Sequence, residues 1–364
     1  MKRKLGVYVG RFSPWHKGHQ QVVLEALEHC EHVLILIGSP CSTDKIKNPW
    51  DYNFRKQMIE MDLLIALRDT SRYTVKCIDD YFTMPPFIRD VQALVNKHFN
   101  VIPATIGSGL DIPTMSSTLA KLNRDEVYLL GYEKDQSSYY LNKFIWKRLD
   151  TDFHGKISAT DIRNEFFVHG DIIDNRQSIS PSVYNNLMSW RANNLAEYNN
   201  VIEEYRFKIR HDAAWADSPY PPIFVTADAL VVQHGHILLI RRKHAPGKGT
   251  WALPGGYIKT DESLEDAAIR ELVEETELKL PKSVLRKSIT ETLVVETPGR
   301  SSRGRIITNV VLIELRDDVS KLPRVKGQDD AEKAKWFSFA DFNLFIQNNM
   351  FEDHALIIKH MLHL

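Results

Sequence analysis

Apolar and polar positions along the first half of the chain fall into alternating blocks. Short apolar runs at 5–9, 32–37, 73–78 and 126–130 predict buried strands, and the segments 19–29, 54–67 and 88–97 between them predict helices. Strands alternating with helices of this length imply an α/β fold with a doubly wound, Rossmann-like parallel sheet. In such a sheet the ligand lies outside the carboxyl ends of the strands, where the strand order switches. The pattern changes between about 192 and 222. Residues 195–209 read as one polar, solvated helix, which Ser218-Pro219-Tyr220-Pro221-Pro222 ends with a stiff, extended stretch. Beyond it come a strand pair, 224–233 and 236–241, turning at His234-Gly235, then a strong helix at 263–276. Strands at 288–295 and 306–314 and a helix at 339–348 complete a second α/β unit. The expected organisation is a first domain over 1–192, a connector over 193–222 and a second domain over 223–364.

Charge and cysteine usage narrow the function. Lys plus Arg and Asp plus Glu both number 47, so no global field would hold the chain on nucleic acid or an anionic membrane. Any phosphate binding must come from local basic groups and helix ends, which favours small nucleotides. Cys30, Cys41 and Cys77 form no C-x-x-C pair and have no zinc-site spacing. Cys41, in a loop, reads as a spectator thiol. The basic start, Met1-Lys2-Arg3-Lys4, runs directly into a strand with no apolar signal region. No apolar run approaches the ~20 residues of a membrane span. The expectation is a cytoplasmic, reduced enzyme with no nucleic-acid or membrane partner. Self-association into a homo-oligomer is compatible with all of this.

Two segments carry chemistry. The first, Gly10-Arg11-Phe12-Ser13-Pro14-Trp15-His16-Lys17-Gly18-His19, leaves the first strand and opens a helix. Helix amino termini favour anions through unpaired N–H groups and the dipole. Two imidazoles and an arginine added there suit a polyphosphate. Nucleotidyl transfer needs positioning and charge stabilisation at phosphorus more than covalent help. The second segment runs from Gly256 through Glu262 to Arg270-Glu271-Leu272-Val273-Glu274-Glu275. On a helix Glu271 faces Glu274 and Glu275 one turn later, and three crowded carboxylates repel unless a cation joins them. Hard oxygen ligands suit magnesium, with manganese as the alternative.

The first segment resembles the H-x-G-H signature of the nucleotidylyltransferase superfamily. That family's second signature, I-S-S-T-x-x-R, has its counterpart in Ile157-Ser158-Ala159-Thr160-Asp161-Ile162-Arg163, with Ala159 replacing the second serine. Asn48-Pro49-Trp50 with Arg55, and Gly131-Tyr132-Glu133-Lys134-Asp135 with the Ser-Ser-Tyr-Tyr after it, are similar to elements of nicotinamide mononucleotide adenylyltransferases, the latter in enzymes fused to a Nudix domain. The second segment is similar to the Nudix box G-x5-E-x7-R-E-U-x-E-E-x-G-U, with Glu277 where the last glycine belongs; the helix end is therefore expected to differ.

The resemblance to bifunctional adenylyltransferase–Nudix enzymes spans nearly the whole chain. It implies a nucleotidylyltransferase domain joined to an α/β/α Nudix fold with a mixed sheet. It implies adenylyl transfer from ATP to nicotinamide mononucleotide, giving NAD and pyrophosphate. His16 and His19 would stabilise charge at the α-phosphate. Gly10, Arg11, Phe12, Arg55, Lys134, Asp135, Ser158, Thr160 and Arg163 would line or hold the nucleotides. Transfer to phosphopantetheine or of cytidylyl to a polyol phosphate are the nearest rivals. For the Nudix half it implies metal-dependent hydrolysis of ADP-ribose to AMP and ribose 5-phosphate. Glu271, Glu274 and Glu275 would hold the metal with Glu262 as auxiliary, and Arg241, Arg300 and Arg305 would meet substrate. Glu352 and Asp353 are candidate general bases. The competing readings are hydrolysis of another nucleoside diphosphate, or a Nudix half that senses ADP-ribose or a related metabolite without cleaving it and regulates the adenylyltransferase.

Overall fold

The apolar run at 32–37 becomes β2 (His32–Ile37), and Val33 to Ile37 are all buried, as a strand covered on both faces must be. A computed structural model describes residues 4–39, 44–98, 127–131, 141–149, 157–316 and 321–364. The chain divides into two units, which part between Leu195 and Ala196, with residues 44–49 belonging to the second.

In the first unit, β1 (Leu5–Gly10), β2, β3 (Tyr73–Cys77), β4 (Val127–Leu130) and β5 (Lys147–Leu149) form a five-stranded sheet in the order β3-β2-β1-β4-β5. Each neighbouring pair is parallel. The order switches beside β1, so the ligand crevice is expected at its carboxyl end. That is where the Gly10–His19 string begins. Around the sheet run α1 (Lys17–His29), α2 (Tyr52–Leu67), α3 (Met84–His98), α4 (Ala159–Val168) and α5 (Pro181–Asn193). β5 was not anticipated. Its three residues, Lys-Arg-Leu, are a short charged edge strand, a form that discourages further pairing.

In the second unit, α6 (Leu195–Ala214) buries Tyr198, Val201, Glu204 and Tyr205, so most of the stretch expected as a connector is a helix packed on this unit. The sheet orders β10 (Ile289–Val295), β11 (Arg305–Glu314), β6 (Ile223–Gln233), β7 (His236–Arg242) and β12 (Ala331–Ser338). β11 and β6 are parallel and the other pairs antiparallel, so the sheet is mixed, as expected. Two short strands, β8 (Trp251–Ala252) and β9 (Gly255–Tyr257), add to β7 and β6. α7 (Leu264–Thr276) starts at Ser263, whose hydroxyl accepts from Asp266 N. It lays Ala267, Ala268, Ile269 and Leu272 on an apolar bed that includes Ala227, Ala229, Val231, Val311 and Ile313. After α8 (Lys282–Lys287), β12 and α9 (His354–Leu362) add to the sequence reading, whereas 339–348 forms short turns of mixed pitch rather than one helix. Among the described residues no helix is long and apolar enough to cross a membrane.

The departure at Glu277 has a structural answer. α7 still ends as a glycine-terminated helix does: Glu277 takes a left-handed backbone, φ 49 and ψ 28, and its N–H reaches Val273 O. A side chain in that conformation costs roughly 1–2 kcal/mol. Glu277→Gly is therefore expected to stabilise the second unit by about 1 kcal/mol, read as a higher urea midpoint. An unchanged or lower midpoint contradicts it.

Candidate active sites

The first site is built from β1 outward. Gly10 ends the strand, and a Cβ there would lie 2.8 Å from the ring of Phe12, so only glycine lets the loop fold back. Phe12 is itself buried, against Tyr8, Trp15 and His19, at ring separations of 5.0, 5.4 and 5.0 Å. His16 caps α1: its Nδ1 accepts from His19 N at 3.4 Å. The two imidazoles stack at 3.5 Å between centroids. His16 and His19 are thus brought together at a helix amino terminus, beside the switch in strand order. Trp15 Nε1 donates to Asp62 Oδ2 at 2.8 Å, which ties the loop to α2.

Arg55 and Arg163 stand elsewhere than on an open phosphate surface. Arg55 is fully buried. It donates to Asp51 O, Arg11 O, Gly38 O and Ser39 O at 2.7–3.2 Å, joining the loops after β1 and β2. Arg163, also buried, donates to Ser13 O and to Thr160 Oγ1. Both guanidiniums hold the cradle in shape. Arg11 is exposed and Thr160 lies at the surface of α4, while Ser158 caps α4 by accepting from Asp161 N. Lys134 and Asp135 lie outside the described residues, as does Cys41.

The second site is a cavity of about 420 Å³. Glu271, Glu274 and Glu275 line it from α7, and Asp228 from β6. Glycines make room. A Cβ on Gly255 would fall 1.8 Å from Asp228 Oδ1, and one on Gly256 would fall 2.5 Å from Glu271 Oε1. Gly255 N donates to Glu275 Oε2 at 2.9 Å. Burial pushes the Glu275 carboxyl up to about 8 and that of Asp228 up to about 7, and burial also raises Glu271. Arg270 grips Glu262 through two bonds of 2.6 and 2.9 Å, which holds the Glu262 carboxyl down to about 2. Its Nη1 also meets Glu271 at 2.7 Å and Glu274 at 3.0 Å. Glu262 is not on the cavity wall; it positions Arg270.

Among the described residues no three His, Cys, Asp or Glu side chains stand close enough together to grip an ion as they lie. The donor chemistry nonetheless fits a divalent cation. Hard carboxylate oxygens face one cavity, and burial raises the carboxyls of Asp228 and Glu275, whose ionised forms a bound cation would favour.

Arginines share the cavity with these acids. Arg300 lines the cavity, donating to Asp353 at 2.6 and 2.8 Å and to Thr308 Oγ1 at 2.6 Å. Arg241 and Arg305 do not line it. Arg241 Nε donates to Gly249 O at 3.0 Å, and Arg305 turns onto Glu296 O. Arg242 and Arg303, missed in the sequence, take the wall instead. Neighbours on a strand face opposite ways, so the choice between Arg241 and Arg242 depends on register. Asp228 did leave a signal: one acid inside the apolar run 227–231. Glu352 lines the cavity and pairs with Arg303 at 3.0 Å, whereas Asp353 sits behind Arg300.

An imidazole cradle at the switch point of a parallel sheet, and an acidic helix sharing a cavity with arginines beside a mixed sheet, mark a nucleotidylyltransferase-like unit and a Nudix unit. Comparison with known proteins agrees. A model of cytidylyltransferase-like domains matches residues 7–165, and one of the NUDIX domain matches residues 223–361. An ADP-ribose pyrophosphatase of Methanocaldococcus jannaschii is 36% identical over 138 residues, 37% of this chain and 70% of that protein. A nicotinamide/nicotinic acid mononucleotide adenylyltransferase of Acinetobacter baylyi is 31% identical over 170 residues, 46% of this chain and 77% of its own length. The crystal structure of a bifunctional NMN adenylyltransferase/ADP ribose pyrophosphatase from Francisella tularensis superposes with TM-score 0.87 at 34% identity, covering 99% of both chains. Complexed with AMP and MN ion, it superposes with TM-score 0.86 at 33% identity. The chain belongs to this bifunctional NMN adenylyltransferase/ADP-ribose pyrophosphatase family.

Two variants test the geometry. Arg55→Met strands buried carbonyls and is expected to destabilise the first unit by about 3 kcal/mol, measured by urea unfolding; an unaltered midpoint contradicts the clamp. Gly256→Ala displaces the Glu271 carboxylate and is expected to weaken manganese binding about tenfold with the fold intact. Paramagnetic resonance titration reads this directly, and unchanged affinity contradicts it.

Proposed function

We propose that the first unit transfers adenylyl from ATP to nicotinamide mononucleotide, and that the second hydrolyses ADP-ribose with a divalent cation, magnesium or manganese. The observation that carries the reading is the mixed polarity of the second cavity, which Asp228, Glu271 and Glu275 line together with Arg300 and Arg303. A diphosphate bridged to a cation needs both signs within one enclosure.

In the first site the 5′-phosphate of the mononucleotide attacks the α-phosphorus of ATP, giving NAD and pyrophosphate. His16 and His19 stabilise the added charge on the α-phosphate, with α1's amino terminus behind them. Arg11 meets the phosphates; Arg163 keeps the loop at Ser13 in place, with Ser158 and Thr160 beside it. No protein nucleophile is needed.

In the second site Glu271, Glu274 and Glu275 would hold the cation. When bound, it activates water and polarises the diphosphate. Arg300 and Arg303 orient the phosphates, and Asp353 and Glu352 fix those arginines in turn, which suits positioning better than general-base work. Water attack gives AMP and ribose 5-phosphate. The presence of all three glutamates at the cavity supports hydrolysis over a purely sensing role. A cytoplasmic setting accords with the free thiols of Cys30 and Cys77.

Two substitutions separate the activities. His19→Ala is expected to lower NAD synthesis by on the order of 10²–10³ while AMP release from ADP-ribose persists. Glu275→Gln is expected to do the converse, lowering hydrolysis on the order of a hundredfold. Joint loss of both activities in either folded variant contradicts two independent sites.

A further inference from the structure

The four residues Phe351, Glu352, Asp353 and His354 all serve the wall of the second cavity. Phe351 lies beneath the guanidinium of Arg242 at 4.3 Å and that of Arg303 at 5.4 Å. Glu352 pairs with Arg303 and Asp353 with Arg300. Among the described residues His354 meets no acid. It lines the cavity, is 6% exposed, and its Nδ1 accepts from Leu253 N at 3.0 Å.

That bond sets the tautomer. Accepting an N–H requires a lone pair on Nδ1, so the ring is neutral and its proton sits on Nε2. Burial, with Arg300, Arg242 and Arg303 nearby, holds the imidazole well below the ordinary histidine range. Nε2 donates to none of the described residues, and His354 lines the cavity, so Nε2 is the donor the ring has left for a ligand there.

We propose that His354 is a substrate-binding residue whose uncharged Nε2–H donates to a neutral acceptor, a hydroxyl oxygen or ring nitrogen of the nucleoside part of the ligand. The division of labour follows from charge. Phosphate oxygens bond more strongly to guanidinium than to a neutral donor, and Arg300 and Arg303 supply guanidinium. A neutral donor that cannot become charged suits the uncharged portion. It also discriminates, because a ligand lacking the acceptor leaves a buried N–H unpaired. The inference rests on the reading of this cavity as a nucleoside-diphosphate site.

The test uses the full chain and two variants. His354→Asn keeps an oxygen near the position of Nδ1 for the Leu253 N–H but removes the distal donor. His354→Gln extends an amide N–H toward the position of Nε2. Binding of ADP-ribose and of inorganic pyrophosphate is measured by calorimetry on metal-free protein in chelator, beside thermal unfolding and hydrolysis kinetics with magnesium. H354N is expected to weaken ADP-ribose about tenfold, leave pyrophosphate within about twofold and keep the wild-type melting temperature, with H354Q recovering most of the loss. In hydrolysis the effect is expected in KM more than in kcat. Equal loss for pyrophosphate, or a shared drop in melting temperature and affinity in both variants, overturns the proposal. Wild-type protein that fails to bind ADP-ribose overturns the reading of the cavity, whereas wild-type binding that H354N leaves intact overturns only the role of His354.

Discussion

Charge removed from water must be met by something, and both sites of this protein are organised around that requirement. A buried guanidinium without acceptors or a buried carboxylate without donors costs several kcal/mol. In the first unit Arg55 is fully enclosed, and it donates to four backbone carbonyls. Carbonyls of the loops after two adjacent strands thereby share one rigid, planar partner. In the second unit the relation is reversed. Asp228 and Glu275 are buried, and arginines tethered by Asp353 and Glu352 line the same cavity.

The two arrangements suit different tasks. The histidine pair is locked by local means: a cap bond from His19 N to His16, stacked rings, and an aromatic floor of Phe12 and Trp15. Such a site offers fixed donors to a phosphate and needs little rearrangement during transfer. The acidic cavity is less satisfied. Arg270 engages Glu271 and Glu274, while Glu275 has the amide of Gly255. A divalent cation would favour the ionised forms of these acids.

Much of this was legible in the residues. The alternating blocks of the first half gave the parallel sheet, and the spacing from Gly256 to Glu275 gave the acidic helix. Its end was legible only in part: Glu277 adopts the backbone of the missing glycine, because the helix must terminate before Leu278 is buried. Roles were harder to read than positions. Arg55 looks like a phosphate ligand in one dimension, and only three-dimensional enclosure shows it as a clamp. Arg241 and Arg242 differ by one residue but face opposite ways, and periodicity in a strand ending cannot choose between them. β12 was hidden because Ala331–Ser338, half exposed at the sheet edge, is too polar to stand out. His354 had no neighbouring pattern; its part depends on a bond to Leu253, 101 positions away.

On this reading the acids of α7 and the arginines of the same cavity grip the two ends of one electrostatic unit, a cation and a diphosphate. A crystal structure of the Glu275→Gln protein soaked with manganese and ADP-ribose tests this most directly. The ion is expected against Glu271 and Glu274, with the diphosphate between it and Arg300 and Arg303. Manganese bound away from α7, or a diphosphate that leaves both arginines untouched, would contradict it.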